Sequence, residues 1–395
     1  MVAATERFVV TSFAPYRVSI PETELADLRS RLARTRWIDD LPGSQWRLGV
    51  SQPYLRDLCD YWRTSFDWRA QEAQLNAFDQ HLIEIDGQPI HVVHSRSQRS
   101  DALPLLLIHG WPGSVFEYIK VFQTLADPVP LGGLAGDAFH VVAPSIPGYG
   151  FSGRTTEPGW GPTRIASAFA TLMDKLGYER YGLAGGDWGA IISTELARLD
   201  RGRHVCGVHL TMPLGKAPPD GQRDDVSVDE QRGLDDWAEH QAAGTVVHTA
   251  VNSTRPHTLA FGLNDSPAGL AAWLVDKYRS YSDCDGDVET AFTRDELLTE
   301  ISTYWLTETI ASASRLYYER AVEGSARPDV EQSITVPVGC AIFPRDVRRV
   351  PRSWAERVYG NIVRWTVMPA GGHFPGLEQP DLLTAELRDF FRTVR

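Results

Sequence analysis

The feature that most constrains the fold of this chain is a glycine-rich turn between a short apolar strand and a helix. Residues 181–184 (YGLA) have the composition of a buried strand, and residues 185–189 (GGDWG) follow them directly and precede the helical pattern AIISTELARL. Small residues at both ends of such a turn permit a sharp strand-to-helix reversal that exposes the central side chain, here Asp187. The alternative is a turn in which the aspartate only caps the helix.

Other segments with strand character recur along the chain and alternate with helical patterns. Residues 81–95 predict a β-hairpin whose turn is Asp86-Gly87. Further apolar strands are predicted at 103–108, 140–144, 334–343 and 363–367. Strands that alternate with helices and end in loops predict an α/β fold with a mostly parallel sheet flanked by helices.

Two of the later strands are followed by residues that can complete a catalytic triad. Asp346 lies just past the strand VGCAIF, and His373 lies in a glycine-flanked loop just past the strand VRWTV. The order Asp187, Asp346, His373 is the order of nucleophile, acid and histidine in the α/β-hydrolase fold. Three such residues at three strand ends favour a triad over unrelated helix caps.

An aspartate nucleophile implies a specific chemistry. A carboxylate is ionised at neutral pH without a base, so the histidine is free to act on water. Attack on a tetrahedral carbon would give an alkyl ester of Asp187, and His373, oriented by Asp346, would activate the water that hydrolyses it. The oxyanion of that second step needs backbone N–H donors, for which we expect Trp188 and Trp111. The alternative for the loop at 109–112 is an ordinary tight turn.

The net charge, the cysteine content and the lengths of the apolar runs bear on three kinds of partner: nucleic acids, metal ions and membranes. The chain has 395 residues and a net charge of −12, which makes nucleic acid an unfavourable partner because its binding requires a basic surface. The four cysteines have no spacing typical of zinc sites, so no metal is expected. No apolar run reaches the ~18 to 20 residues that cross a bilayer, and the N-terminus lacks a signal-peptide pattern. These observations predict a cytoplasmic protein without a membrane span.

The pattern divides the chain into an arm, a core and a cap. Residues 1–96 form an N-terminal arm with amphipathic helices that leads into the first strands. The core is predicted at 97–215 and 330–395, and residues 216–329 are predicted as an inserted α-helical cap. The arm can pack on the cap or mediate a homodimer, and the sequence leaves both open.

Motifs across nearly the whole chain resemble those of one family. The sequence resembles the epoxide hydrolases of the α/β-hydrolase superfamily, in the microsomal-type branch that has a long N-terminal arm. The matching segments are RVSIPETELADLRSRLARTRW, HGWPGS at 109–114, PSIPGYGFSG at 144–153, AGGDWGA at 184–190, GLNDSPAGLAAWLVDKY at 262–278, FPRD with PRSWAER at 343–357, and GGHFPGLEQP at 371–380.

The resemblance implies that two cap tyrosines donate hydrogen bonds to the epoxide oxygen. Tyr317 matches the second of them, with Tyr318 as a neighbouring substrate contact. His248 stands where the family has the first tyrosine, and it either donates a proton as imidazolium or takes no part. Glu308 stands where the family usually has glycine, and we expect it to face solvent. Trp188 and Trp111 are the aromatic residues expected to line the substrate site.

The expected function is hydrolysis of a small hydrophobic epoxide to a vicinal diol, with water as the second substrate and no cofactor. One rival is a haloalkane or haloacid dehalogenase, which uses the same aspartate but binds halide instead of protonating oxygen. Tyr317 favours the epoxide. The other rival is a hydrolase-fold binding protein that has lost most of its turnover.

Overall fold

The computed structural model describes residues 13–219, 223, 225–324 and 334–395. An eight-stranded sheet forms the centre, in the order β1-β2-β4-β3-β5-β6-β7-β8. The strands are β1 Asp79–Ile85, β2 Gln88–Ser95, β3 Leu103–Ile108, β4 Phe139–Pro144, β5 Tyr181–Gly185, β6 Val205–Leu210, β7 Val338–Ile342 and β8 Ile362–Val367. The first two strands run antiparallel to their neighbours, and the remaining pairs are parallel. The predicted α/β class and the hairpin are therefore confirmed.

Helices cover both faces of the sheet and fill the insertion. They are α1 Glu22–Ala33, α2 Gln52–Thr64, α3 Trp68–Leu75, α4 Phe122–Ala126, α5 Pro162–Lys175, α6 Asp187–Asp200, α7 Val228–Ala242, α8 Val247–Thr254, α9 Pro256–Asp265, α10 Pro267–Tyr281, α11 Arg294–Leu306, α12 Ile310–Glu323, α13 Arg352–Ala355, α14 Pro375–Glu378 and α15 Pro380–Phe391. No helix in the described ranges has the length and apolar character needed to cross a membrane.

The parallel strands are buried on both faces, as their continuous apolar sequences predict. Along β3, Leu106 and Ile108 belong to the apolar cluster that includes α5 and α6, whereas Leu105 and Leu107 belong to the cluster that includes α4 and α15. This alternation follows from the two-residue period of a strand. The strand predicted at 334–343 is shorter, because Ile334 makes only an isolated bridge to Tyr359 before β7 begins.

The insertion between β6 and β7 is helical in its described part, from α7 to α12. Helix α12 packs against α8 and α9, and the apolar residues of these helices belong to the same buried cluster as those of the sheet. The predicted boundary between residues 329 and 330 lies outside the described residues, as do residues 1–12 of the predicted arm.

The described part of the arm packs on the inserted helices. The Trp62 Nε1–H donates to Ser302 Oγ at 2.9 Å, and Tyr61 Oη donates to Asp295 at 2.9 Å, both on α11. Arg31 pairs with Asp265 at 2.9 Å at the end of α9. Of the two arrangements that the sequence left open for the arm, packing on the cap is the one observed.

Candidate active site

Asp187 lies at a tight turn between β5 and α6 that only small flanking residues permit. Its φ is 48°, in the left-handed region that a non-glycine residue rarely adopts. A Cβ on Gly185 would lie 2.6 Å from the Ile108 carbonyl oxygen, and one on Gly189 would overlap the same atom. The glycine at each end of the turn is thus required by the close approach of β3, and the strain at Asp187 marks a site with a constrained side chain.

The structure brings the three predicted triad residues together. His373 Nδ1 lies 2.8 Å from Asp346 Oδ1, and His373 Nε2 lies 3.8 Å from Asp187 Oδ2. Asp346 and His373 are buried, in the loops that follow β7 and β8. With its Nδ1–H donated to Asp346, the imidazole turns Nε2 toward the nucleophile.

Backbone N–H groups surround the other side of the Asp187 carboxylate. The Trp111 N–H donates to Asp187 Oδ1 at 2.8 Å. Hydrogen bonds from the Trp111 and Trp188 backbones both lower the pKa of Asp187. The two predicted oxyanion donors therefore meet one carboxylate, and Oδ2 is the oxygen that faces His373.

Burial and charge have opposite effects on the pKa values of this pair. Burial raises the pKa of Asp187, while the positive charge of His373 and the two N–H donors lower it. For His373, burial lowers the pKa, but the charges of Asp346 and Asp187 and the hydrogen bond to Asp346 outweigh it and raise the pKa to about 9. The net shift of the Asp187 pKa is upward, and the attraction between the two charges favours a carboxylate beside an imidazolium.

A cavity of about 300 Å³ opens in front of Asp187, between the sheet and the inserted helices. Its wall is largely apolar and aromatic, as is typical of small-molecule sites. Apolar and aromatic side chains of this wall include Trp111, Trp188, Ile191, Met212, Leu214 and Trp237. Trp111 and Trp188 thus line the cavity as the sequence predicted.

Tyr317 lines the same cavity from α12, on the side opposite the sheet. Its ring lies edge-on to Trp188 at a centroid distance of 4.7 Å and edge-on to Trp111 at 6.0 Å. Burial, followed by the charge of Asp187, raises the pKa of Tyr317 well above its ordinary value. The phenol is therefore held neutral, with its proton available as a donor.

His248 also lines the cavity, but its surroundings keep it uncharged. Its ring stacks on Trp111 at 4.5 Å, and Nδ1 lies 3.3 Å from the Tyr281 hydroxyl. Tyr281 in turn donates to the Thr245 carbonyl at 2.7 Å. Burial lowers the pKa of His248 to about 3, and the charges of Lys277 and His373 act in the same direction. Between the two roles that the sequence left open, this environment disfavours an imidazolium donor.

Two other residues singled out in the sequence lie outside the cavity. Tyr318 is 43% exposed and lines a separate surface groove, which corrects its prediction as a substrate contact. Neighbouring helical residues point about 100° apart, so only one of Tyr317 and Tyr318 can face the nucleophile. Glu308 faces solvent as expected, pairs with Arg154 at 2.8 Å and has a φ of 52°, a conformation that suits the glycine of the family.

The cavity wall also contains polar residues that were not predicted from the sequence, and the largest of them are Tyr281, Arg320 and Arg348. Arg320 is three residues after Tyr317, so its helical spacing was a usable signal. Arg348 is two residues after Asp346 and shares its loop. Tyr281 ends α10 and carried no local signal. Among the described residues, no group of three or more His, Cys, Asp and Glu side chains is placed to hold a metal ion.

The sequence of the chain matches two protein-family models and several known proteins. Residues 13–118 match the family described as "Epoxide hydrolase N terminus", and residues 104–264 match the alpha/beta hydrolase fold. A "Putative epoxide hydrolase" of Stigmatella aurantiaca is 43% identical, over 96% of this chain and 85% of that protein. Epoxide hydrolase 1 of Oryctolagus cuniculus is 33% identical, over 97% of this chain and 89% of that protein.

A solved structure is similar over almost its full length. It is an enantioselective mutant of epoxide hydrolase from Aspergillus niger, generated by directed evolution. Its TM-score is 0.88 at 32% sequence identity, and the match covers 98% of this chain and 97% of that one.

Proposed function

Because the chain belongs to the epoxide hydrolase family and hydrolyses epoxides, we propose that Asp187, His373, Asp346 and Tyr317 carry out that reaction in two steps. The observation that carries this proposal is the environment of the Asp187 carboxylate. One oxygen accepts the Trp111 N–H at 2.8 Å, and the other lies 3.8 Å from His373 Nε2. We therefore assign Oδ2 as the atom that attacks the epoxide and Oδ1 as the oxygen that carries the later negative charge.

In the first step, Asp187 Oδ2 attacks a ring carbon of the epoxide. A bond forms between Oδ2 and that carbon, and the bond from the carbon to the epoxide oxygen breaks. Tyr317 donates its hydroxyl proton to the departing oxygen and regains a proton from solvent during the turnover. The product of this step is a hydroxyalkyl ester of Asp187, with Oδ1 as its carbonyl oxygen.

In the second step, His373 Nε2 takes a proton from a water molecule, which attacks the carboxyl carbon of Asp187. The negative charge that develops on Oδ1 meets the Trp111 N–H, and we assign the Trp188 N–H, which also lowers the pKa of Asp187, as the second donor. The tetrahedral intermediate then collapses, and the alkoxide leaves with the proton from His373. The carboxyl group of Asp187 then gives its remaining proton to His373, which restores the carboxylate and the imidazolium of the free enzyme. The net reaction is epoxide plus water to vicinal diol.

Formation of the ester also prepares His373 for its role as a base. In the free enzyme the charge of Asp187 helps to raise the pKa of His373 to about 9, which keeps the imidazole protonated. Esterification removes that charge, so the pKa of His373 falls in the intermediate. The histidine becomes a base at the stage of the reaction that needs one.

The test is Asp187→Ala, assayed with styrene oxide for diol formation. We expect a loss of at least about 10⁴-fold in kcat, because no other group can form the ester. Asp229→Ala is the matched control, since its side chain is 86% exposed and remote from the cavity wall. Thermal unfolding shows whether both variants fold. Diol formation by folded Asp187→Ala near the rate of the control would refute the proposal.

A further inference from the structure

Two arginines line the cavity and make no ion pair with another described residue. Arg320 comes from α12 and Arg348 from the loop after β7. Within the described part of the chain, neither guanidinium makes an ion pair or a hydrogen bond, and the Arg320 Nε is buried without a partner. Their contacts are with aromatic faces: Arg320 Cζ lies 5.5 Å from the Trp188 ring and Arg348 Cζ lies 5.7 Å from the Trp237 ring.

The two guanidinium groups are close enough to disfavour each other's charge. Burial lowers the pKa of Arg320, and the charge of Arg348 lowers it further. Glu195 also raises the pKa of Arg320, but that carboxylate accepts from Arg198 at 2.7 Å. Two like charges that share a partly buried cavity cost free energy unless an anion lies between them.

Among the charged groups of the cavity wall, together with Asp346, positive charge exceeds negative charge at both stages of the reaction. In the free enzyme, Asp187 is balanced by protonated His373, and Asp346 compensates only one of the two arginines. In the ester, Asp187 and His373 are both neutral, and the same single positive charge is left over. This excess stands out because the whole chain carries a net charge of −12.

The arginines lie near the proposed proton donor. Tyr317 and Arg320 are three residues apart on α12, so both face the cavity and are separated by about 4.5 Å along the helix axis. Arg320 contacts Trp188, the residue next to the nucleophile. A substrate whose epoxide oxygen meets Tyr317 would therefore place a group only a few carbon atoms away against Arg320 and Arg348.

We propose that the epoxide hydrolysed by this protein carries a carboxylate, separated from the ring by a few carbon atoms and bound by Arg320 and Arg348. This inference rests on the proposed function and names its substrate class. The planar guanidinium fork matches a carboxylate with two parallel hydrogen bonds. In this complex the excess positive charge of the cavity is cancelled, and the substrate is oriented with its ring toward Asp187.

The experiment compares two epoxides that differ only in charge, 4,5-epoxypentanoate and 4,5-epoxypentanamide. In the unmodified protein, kcat/KM for the carboxylate should exceed that for the amide by about 10- to 100-fold, the range expected for charge-assisted hydrogen bonds. Arg320→Gln and Arg348→Gln should each lower this ratio by about tenfold. Arg345→Gln is the matched control, because Arg345 lies in the same loop, is 59% exposed and does not line the cavity. It should keep the ratio.

Two results would overturn the inference. One is an equal or higher kcat/KM for the amide in the unmodified protein. The other is an equal loss with both epoxides in folded Arg320→Gln and Arg348→Gln, since it would mean that the arginines act only on Asp187. Thermal unfolding identifies a variant that fails to fold, and the remaining arginine variant then decides.

A binding measurement separates this inference from the proposed function. Pentanoate cannot react, and calorimetric titration should show that it binds the unmodified protein and Arg345→Gln more tightly than Arg320→Gln by about tenfold. If neither epoxide gives diol, the proposed function has failed. Pentanoate binding that depends on Arg320 would then still support the anion site, and binding that is independent of Arg320 would refute it.

Discussion

The two sides of the cavity differ in how their polar groups are held. On the sheet side, Asp187, His373 and Asp346 form a connected set in which every charge faces an opposite charge or an N–H donor. On the cap side, Tyr317 and Arg320 face the cavity among aromatic rings, and Arg320 has no ion pair within the described residues.

This difference separates reaction from selectivity. Groups that are fully satisfied before substrate arrives are preorganised for a chemical step that is the same for every epoxide. Groups that lack a partner acquire one only from the substrate, so they discriminate between substrates. We therefore expect substitutions in the connected set of Asp187, His373 and Asp346 to abolish turnover. Substitutions of Tyr317, Arg320 and also Arg348, which makes no ion pair within the described residues although its loop follows β7, should reduce it selectively.

On the sheet side of the cavity, His373→Gln should have the largest effect after loss of the nucleophile Asp187. We expect kcat to fall by about 10²- to 10⁴-fold, because the ester still forms but its hydrolysis lacks a base. Intact-protein mass spectrometry should detect a stoichiometric adduct with the mass of one epoxide. His257→Gln, at an exposed position, is the control. A variant that is inactive and never acquires the adduct would contradict the assigned role.

A smaller effect is expected for Tyr317→Phe on the cap side. Loss of the proton donor to the departing oxygen should lower kcat/KM by about 10²-fold, the lower end of the range for a general acid. Tyr318→Phe is the matched control on the same helix, because its side chain is 43% exposed and lies in the separate groove. Equal losses in both variants would show that Tyr317 is not the donor. The cap side of the cavity would then have no assigned role in the opening of the ring.

The smallest effect should follow His248→Phe. The pKa of His248 is lowered to about 3, so the imidazole is neutral at the pH of the assay and its contribution is mainly the stacked contact with Trp111. We expect kcat to change by less than about threefold, in contrast to a catalytic acid, whose loss costs about 10²-fold or more. Steady-state kinetics with styrene oxide measure this, and a loss as large as that of Tyr317→Phe would assign His248 a donor role.

The parts of the fold that could be predicted from sequence are those with local signals. The turn at Asp86-Gly87 and the apolar run of β3 carry their own periodicity and turn chemistry, and both lie where expected. The order of Asp187, Asp346 and His373 was also readable, because each follows a strand. A parallel sheet brings such strand ends to one edge.

The features that escaped prediction depend on contacts between distant segments. Tyr317 lies in the cavity as predicted, but the exclusion of Tyr318 follows from the rotation of α12, which packing against α8 and α9 sets. The packing of the arm on α11 likewise joins residues 240 positions apart, as in the pair Trp62 and Ser302. Arg348 reaches the cavity because of the path taken by the loop after β7, which also carries Asp346. The homodimer and the cytoplasmic location stay predictions.

The central claim is that Asp187 becomes an ester and that water attacks its carboxyl carbon. It is tested by a single turnover in ¹⁸O-labelled water with enzyme in excess over styrene oxide, followed by mass spectrometry of the Asp187 peptide and of the diol. The account predicts ¹⁸O in the Asp187 carboxylate and none in the diol, whose new oxygen comes from Oδ2. A diol that carries ¹⁸O while the Asp187 peptide stays unlabelled would show direct attack by water on the epoxide and would contradict it.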